Sequence, residues 1–242
     1  GLPGPSTTLP LTGPFNGYLA QLNVIEIINH EQALTAALRL TLFDAAGARI
    51  NHREIFIPAG GVEHVVANDF RDRDGRGISD RYGLVRIESL QGNPRVSAQT
   101  TFYRLRASEQ TPEYAFAIAF EDPDRGVSYG MYNSINPGVG GAVLNYITVA
   151  NPGTQRFTGN LELYHQDGTL QTRYPISIEP FERVDYPAGH PQTSTGIFQI
   201  FPDDLQQPYL SYVARYAAGD ATQYQFAFSL RNGLRGCNES LQ

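Results

Sequence analysis

Asp72, Asp74 and Asp80 lie in the stretch DRDGRGISD, and their spacing resembles that of a calcium loop. Carboxylates at alternate positions project toward one ion, and the glycines between them permit the tight turn that six or more oxygen ligands require. The same stretch carries Arg73 and Arg76, and Arg71 and Arg81 flank it. Arg76 stands where such a loop places its central acidic ligand, and a fixed guanidinium there repels the ion. Four arginines against Asp69, Asp72, Asp74 and Asp80 leave the segment nearly neutral, so a solvated, internally ion-paired loop is the preferred reading over calcium. An Arg-rich protrusion also suits contact with a partner subunit.

Elsewhere the reactive side chains are scattered. His30, His52, His64, His165 and His190 show no spacing that would put two of them on one metal. No G-x-S-x-G elbow, Cys–His pairing or phosphate-binding glycine loop occurs. Glu179, Glu182 and Asp185 are numerous enough to suggest a glycosidase pair, but nearly every protein offers such carboxylates. All 18 basic residues are Arg, so chemistry that depends on a lysine amine is excluded. The formal charge of -6 argues against nucleic acid as a partner. No catalytic residue and no resident cofactor are expected. Tyr209, Tyr212 and Tyr216 sit on an alternating segment that would turn at least one ring outward, where it could stack on a sugar. Carbohydrate binding is therefore the runner-up to a role in protein contacts.

These residues must be held by strands. NVIEII, ALRLTLF, REIFI and YAFAIAF alternate with period two, and DAAG, PAGG and QGNP punctuate them. The chain also repeats itself. The frame L-N-x-I-x-[I/V]-x-N occurs at Leu22–Asn29 and again, 122 residues later, at Leu144–Asn151. LRLTLFDAAGA matches GNLELYHQDGT, IFIPAGGVE matches ISIEPFERVD, YGLVRI matches TGIFQI, and YAFAIAF matches YQFAFSL, all in the same order. Past the charged stretch the offset drops to 113 residues, so that stretch is an embellishment of the first copy. About seven short strands per copy predict two tandem immunoglobulin-like antiparallel β-sandwich domains in an all-β chain. Leu40, Leu42, Ile55 and Ile57 would line the first core, and Leu161, Leu163, Ile176 and Ile178 the second.

The expected division is 1–16 as a Pro/Gly-rich extended segment, 17–122 and 123–235 as the two sandwiches, and 236–242 as a tail. The N-terminal segment would be suited to adding to a sheet edge of a neighbouring molecule. The tail holds the only thiol, Cys237, and an N-x-S sequon at Asn238. The repeated frame, the Phe or Tyr ahead of an x-x-x-G turn and the late YGLVRI strand resemble the repeated immunoglobulin-like modules of large secreted or surface proteins of bacteria. That resemblance implies an extracellular or cell-surface location, with any signal peptide already removed. It also implies a non-catalytic structural role, as a subunit of a filament, sheath or surface layer, with an adhesin or an accessory domain of a secreted enzyme as alternatives. The expected partners are other protein subunits, reached through sheet edges and the N-terminal segment.

Overall fold

Alternation in the sequence becomes alternation in burial. In β2 (Gln21–Asn29) every second residue, from Gln21 through Ile25 and Ile27 to Asn29, faces a core while the residues between are half-buried. The computed structural model describes residues 9–105, 112–134, 143–188, 194–220, 223–231 and 233–234. Apart from two short 3-10 turns, the regular structure among them is all strand, and every pairing is antiparallel. The chain divides into two units, Gly1–Asp122 and Pro123–Gln242. His190, Cys237 and Asn238 lie outside the described residues.

Unit 1 contains β1 (Leu11–Asn16), β2, β3 (Ala36–Asp44), β4 (Arg49–Ile57), β5 (Val62–Val66), β6 (Tyr82–Ser89), β7 (Val96–Leu105) and β8 (Pro112–Ala119). They form two four-stranded sheets, in the orders β1-β6-β3-β4 and β5-β2-β7-β8. Leu11, Phe15, Leu38, Leu40, Leu42, Ile55 and Ile57 from the first sheet meet Ile25, Ile27, Val65 and Ala98 from the second in one buried cluster. This is a sandwich core.

Unit 2 contains β9 (Ser128–Asn133), β10 (Val143–Ala150), β11 (Phe157–His165), β12 (Leu170–Ile178), β13 (Arg183–Ala188), β14 (Thr195–Pro202), β15 (Leu210–Asp220), β16 (Gln223–Arg231) and β17 (Gly233–Leu234). Its sheets run β12-β11-β14-β9-β17 and β13-β10-β15-β16. With β17 set aside, the strand order matches that of unit 1 position by position. Leu161, Leu163, Ile176, Ile178, Phe198 and Ile200 fill its core.

Two sequence expectations change. Residues 1–16 do not form a separate arm throughout, because Leu11–Asn16 is a strand of the unit's own sheet, paired with β6, and Leu11 and Phe15 are fully buried. The strand order also departs from the immunoglobulin pattern, in which the first strand lies beside the second. Here β1 sits beside β6, and β7 crosses to the other sheet to take the place next to β2.

The repeated frame is a pair of asparagine clamps. Asn23 Oδ1 accepts the Asn16 N–H (2.7 Å) while its Nδ2 donates to the Asn16 carbonyl (2.8 Å), pinning the end of β1 to β2. Asn145 Oδ1 likewise accepts the Asn133 N–H, from the end of β9. At the other end of the frame, Asn29 Nδ2 donates to the Ile57 carbonyl and Asn151 Nδ2 to the Ile178 carbonyl, each at 3.0 Å. Each of these two ties one sheet of its sandwich to the last residue of the outer strand in the other.

Candidate functional site

The charged loop closes on itself. Asp72 Oδ1 accepts the backbone N–H groups of Asp74 (3.0 Å) and Arg76 (2.9 Å), and Asp72 Oδ2 pairs with Arg81 at 2.9 Å. Those bonds, led by the Arg76 N–H, hold the Asp72 carboxyl below the usual carboxylate range. Arg71 folds back, its Nη1 donating to the Asn68 carbonyl (2.5 Å) and the Phe70 carbonyl (2.9 Å). Ile78 drops into the core at 1% exposure and anchors the loop. The Arg81 carbonyl accepts the Gly17 N–H at 2.7 Å. Asp80 is exposed, in the left-handed region at φ 56°.

Asp72, Asp74 and Asp80 therefore do not converge. Among the described residues no three His, Cys, Asp or Glu side chains gather as a metal-ligand set. Arg81 occupies the carboxylate that would lead such a set. Of the four arginines, Arg71 and Arg81 are spent on the loop itself, while Arg73 (94% exposed) and Arg76 face solvent.

Asp72→Ala is expected to loosen this loop without unfolding the sandwich. Amide hydrogen exchange should accelerate at Asp74 and Arg76 and stay unchanged in β3 and β6. Since the folded-state pKa of Asp72 is depressed, the support it gives is present above the ordinary carboxylate range and is lost as pH falls through the lowered value. The same amides of the parent protein should therefore lose their protection only once the pH falls below the ordinary carboxylate range. Unaltered protection in the variant would show that Asp72 is not the strut.

The other candidate groups are occupied by neighbours. Glu179 pairs with Arg156, Glu182 Oε2 accepts the Glu179 N–H (2.7 Å), and Asp185 is bridged by Arg183 and by the Thr148 hydroxyl (2.7 Å). Burial works against the charge of Arg183, yet Asp185 holds this guanidinium above the usual arginine range. His30 Nε2 meets Ser97 Oγ at 2.8 Å, and His52, His64 and His165 are exposed. The tyrosines read as a sugar platform are buried. Tyr209 is fully enclosed, donating to the Gly126 carbonyl at 2.8 Å, and burial pushes its phenol upward. Tyr212, beneath the Arg183 guanidinium, and Tyr216 are 9% and 8% exposed.

What the structure does expose is an apolar row across the outer face of one sheet of unit 2. Leu170 of β12 is opposite Tyr164 of β11, Tyr164 opposite Ile197 of β14, and Ile197 opposite Met131 of β9. Leu170, Ile197 and Met131 are 49%, 42% and 63% exposed. The adjacent row is polar and runs Arg173, Glu162, Gln199, Tyr129, with Arg173 Nη2 2.5 Å from Glu162 Oε1. Glu162 also accepts the Tyr164 hydroxyl, which raises the pKa of that phenol. The four apolar positions thus stand on a sheet braced by an ion pair. Their sequence signal was an apolar residue in the solvent phase of an alternating strand: Met131 in SYGMYN and Ile197 in TGIFQI.

No family model matches the chain, and no curated protein matches it. Among solved structures, a beta-glucuronidase from glycoside hydrolase family 2 is matched over 90% of this chain and 23% of that one, at 8% identity and a TM-score of 0.16. A superposition this loose carries no inference about fold or activity.

Proposed function

We propose that the chain is a non-catalytic, extracellular or cell-surface structural protein that works through protein contacts, as a subunit of a filament, sheath or surface layer. The observation that carries this reading is the row Leu170, Tyr164, Ile197 and Met131, a contiguous apolar stripe, half-buried at Tyr164 and exposed at the other three, on a sheet braced by the Arg173–Glu162 pair. We read the two units as products of one internal duplication. Their common strand order, the paired asparagine clamps and the register shifts at Leu42/Phe43 and Leu163/Tyr164 support that reading. We read the sandwich as an immunoglobulin-like variant: the β2–β5, β3–β4 and β3–β6 neighbours correspond to the B–E, C–C′ and C–F pairs, the first and seventh strands have changed places, and β8 is added beyond β7. An adhesin or carbohydrate-binding module is the second reading, favoured by Tyr129, 43% exposed beside Gln199 on the same face.

Negative-stain imaging and light scattering of the full chain test this. Assemblies larger than the 26.7 kDa chain are expected, and the double substitution Met131→Glu with Ile197→Glu should disperse them. Both side chains lie outside the core cluster, so the variant should keep the parent's circular dichroism spectrum, at a modest cost in stability from two carboxylates set opposite each other. A monomer that binds glycans on an array would replace the structural reading with the second one.

A further inference from the structure

We infer that β4, one edge of its sheet in unit 1, pairs antiparallel with β4 of a second copy of this chain. The inference deepens the structural reading above and rests on it.

The two units treat equivalent edges differently. Asn160 of β11 faces Pro175 of β12, and at the matching position Arg39 of β3 faces Glu54 of β4. Proline lacks an N–H, so Pro175 fits only where the backbone nitrogen points away from the neighbouring strand, and there it blocks the edge against a further strand. By the common register, the N–H of Glu54 also points away from β3. His52, two residues earlier, bears this out, for its N–H donates to Asn51 Oδ1 at 2.8 Å. Phe56, two residues later, has the same phase. Hence β4 presents outward carbonyls at His52, Glu54 and Phe56 and outward N–H groups at Glu54 and Phe56, with no proline among them, and among the described residues no strand lies beyond it. Asn51, His52, Arg53, Glu54 and Phe56 are all exposed, Phe56 at 65%.

Charged side chains ordinarily blunt an edge of this kind, but here they select a partner. In an antiparallel pair related by a two-fold axis, facing residues share a phase, so only certain registers exist. Centred on Arg53, His52 lies opposite Glu54 of the second copy, and Glu54 opposite its His52, so each carboxylate, which accepts from Arg39 of its own chain at 2.8 Å, also faces an imidazole. Both of these residues lie in the outward hydrogen-bonding phase, so each Glu54 N–H can donate to the facing His52 carbonyl, and each His52 N–H to the facing Glu54 carbonyl once it leaves Asn51 Oδ1. The two Arg53 side chains at the centre are drawn aside, each guanidinium lying over its own Phe70 ring at 5.0 Å. Centred on Glu54 instead, two carboxylates would face each other. The contact is isologous and closes at a dimer, so a polymer would need the apolar row of unit 2 as its second interface.

Sedimentation equilibrium of the full chain, with amide hydrogen exchange, tests the pairing. The parent protein should associate, and the Met131→Glu, Ile197→Glu variant, which lacks the second interface, should show a monomer–dimer equilibrium with Glu54 and Phe56 amides protected in the dimer. Glu54→Pro, which copies unit 2, should weaken dimerisation at least about tenfold with an unchanged circular dichroism spectrum. Glu54→Arg keeps the N–H but removes the carboxylate that faces His52 and sets like charge opposite Arg39, and should weaken it too. The reverse change, Pro175→Glu, should open the β12 edge and add a second mode of association. A parent chain that stays monomeric, or Glu54→Pro and Glu54→Arg variants that dimerise as tightly as the parent, would overturn the pairing. Assemblies that persist unchanged in both Glu54 variants but disperse with Met131→Glu and Ile197→Glu would sink the edge contact alone and leave the structural reading standing.

Discussion

Asn151→Ala is expected to destabilise unit 2 by about 3 kcal/mol, and Asn29→Ala to do the same in unit 1. Both side chains are fully buried. Asn151 Nδ2 donates to the carbonyls of Gln155 (2.7 Å) and Ile178 (3.0 Å), and its Oδ1 accepts the Gly153 N–H at 2.9 Å. Asn29 Nδ2 reaches the carbonyls of Leu34 (2.8 Å), Ile57 (3.0 Å) and Pro58 (3.1 Å), and its Oδ1 accepts the Glu31 N–H at 3.0 Å. Alanine removes these bonds and leaves interior carbonyls unpaired, at about 1 kcal/mol for each bond. Urea unfolding followed by circular dichroism reads the loss. A cost below about 1 kcal/mol in either unit would mean that water replaces the amide and that the asparagine is not what holds the turn.

The same asparagines show what the sequence could and could not disclose. Their recurrence at the ends of L-N-x-I-x-[I/V]-x-N was visible, as was the alternation that buries Leu40, Leu42, Leu161 and Leu163. Their work was not visible, because a clamp onto Ile57 or Ile178 depends on chain folded back from 27 or 28 residues away. Strand β1 was masked by its composition: LTGPFN contains a glycine and a proline, which ordinarily break strands, and its partner β6 lies some 70 residues on. Strand β5 offers only one buried residue, Val65, in a five-residue run, too little for a period to register.

Charge counting described the loop at Asp69–Gly83 well enough to favour internal pairing, since a near-neutral segment can satisfy itself. Counting could not reveal that Ile78, the one aliphatic residue among those charges, would be the anchor. Nor could alternation place the rings of YLSYVARY correctly. Tyr212 and Tyr216 do lie in the opposite phase from core residue Val213, but that side of β15 is itself covered, so phase alone does not mean exposure. The exposed apolar row was missed for the converse reason. Each of its four members belongs to a different strand, and only the registers of β9, β14, β11 and β12 bring them into line.

Gly196→Ala should cost about 3 kcal/mol, and Gly83→Ala a comparable amount, more than any substitution on the outer faces. A Cβ on Gly196 would lie 1.9 Å from the Tyr164 carbonyl oxygen and 2.5 Å from the Tyr132 hydroxyl. On Gly83 it would lie 2.0 Å from the carbonyl oxygen of Phe43. In both units the glycine enters its strand beside the register shift of the central hairpin, where the backbones of β6 and β3, or β14 and β11, approach too closely for a methyl group. The obstacle is main chain, which cannot swing aside like the end of a side chain, so relief requires the two strands to part. The Tyr132 hydroxyl, 2.7 Å from Gln171 Oε1, would lose its seat as well. Gly168 supplies the contrast: its φ is 83°, but nothing lies within 4 Å of its missing Cβ. Alanine there meets only the left-handed conformational penalty, about 1 kcal/mol. If urea midpoints for Gly196→Ala and Gly168→Ala shift equally, close approach of the strands is not what fixes the glycine, and the shared hairpin geometry of the two units loses its physical cause.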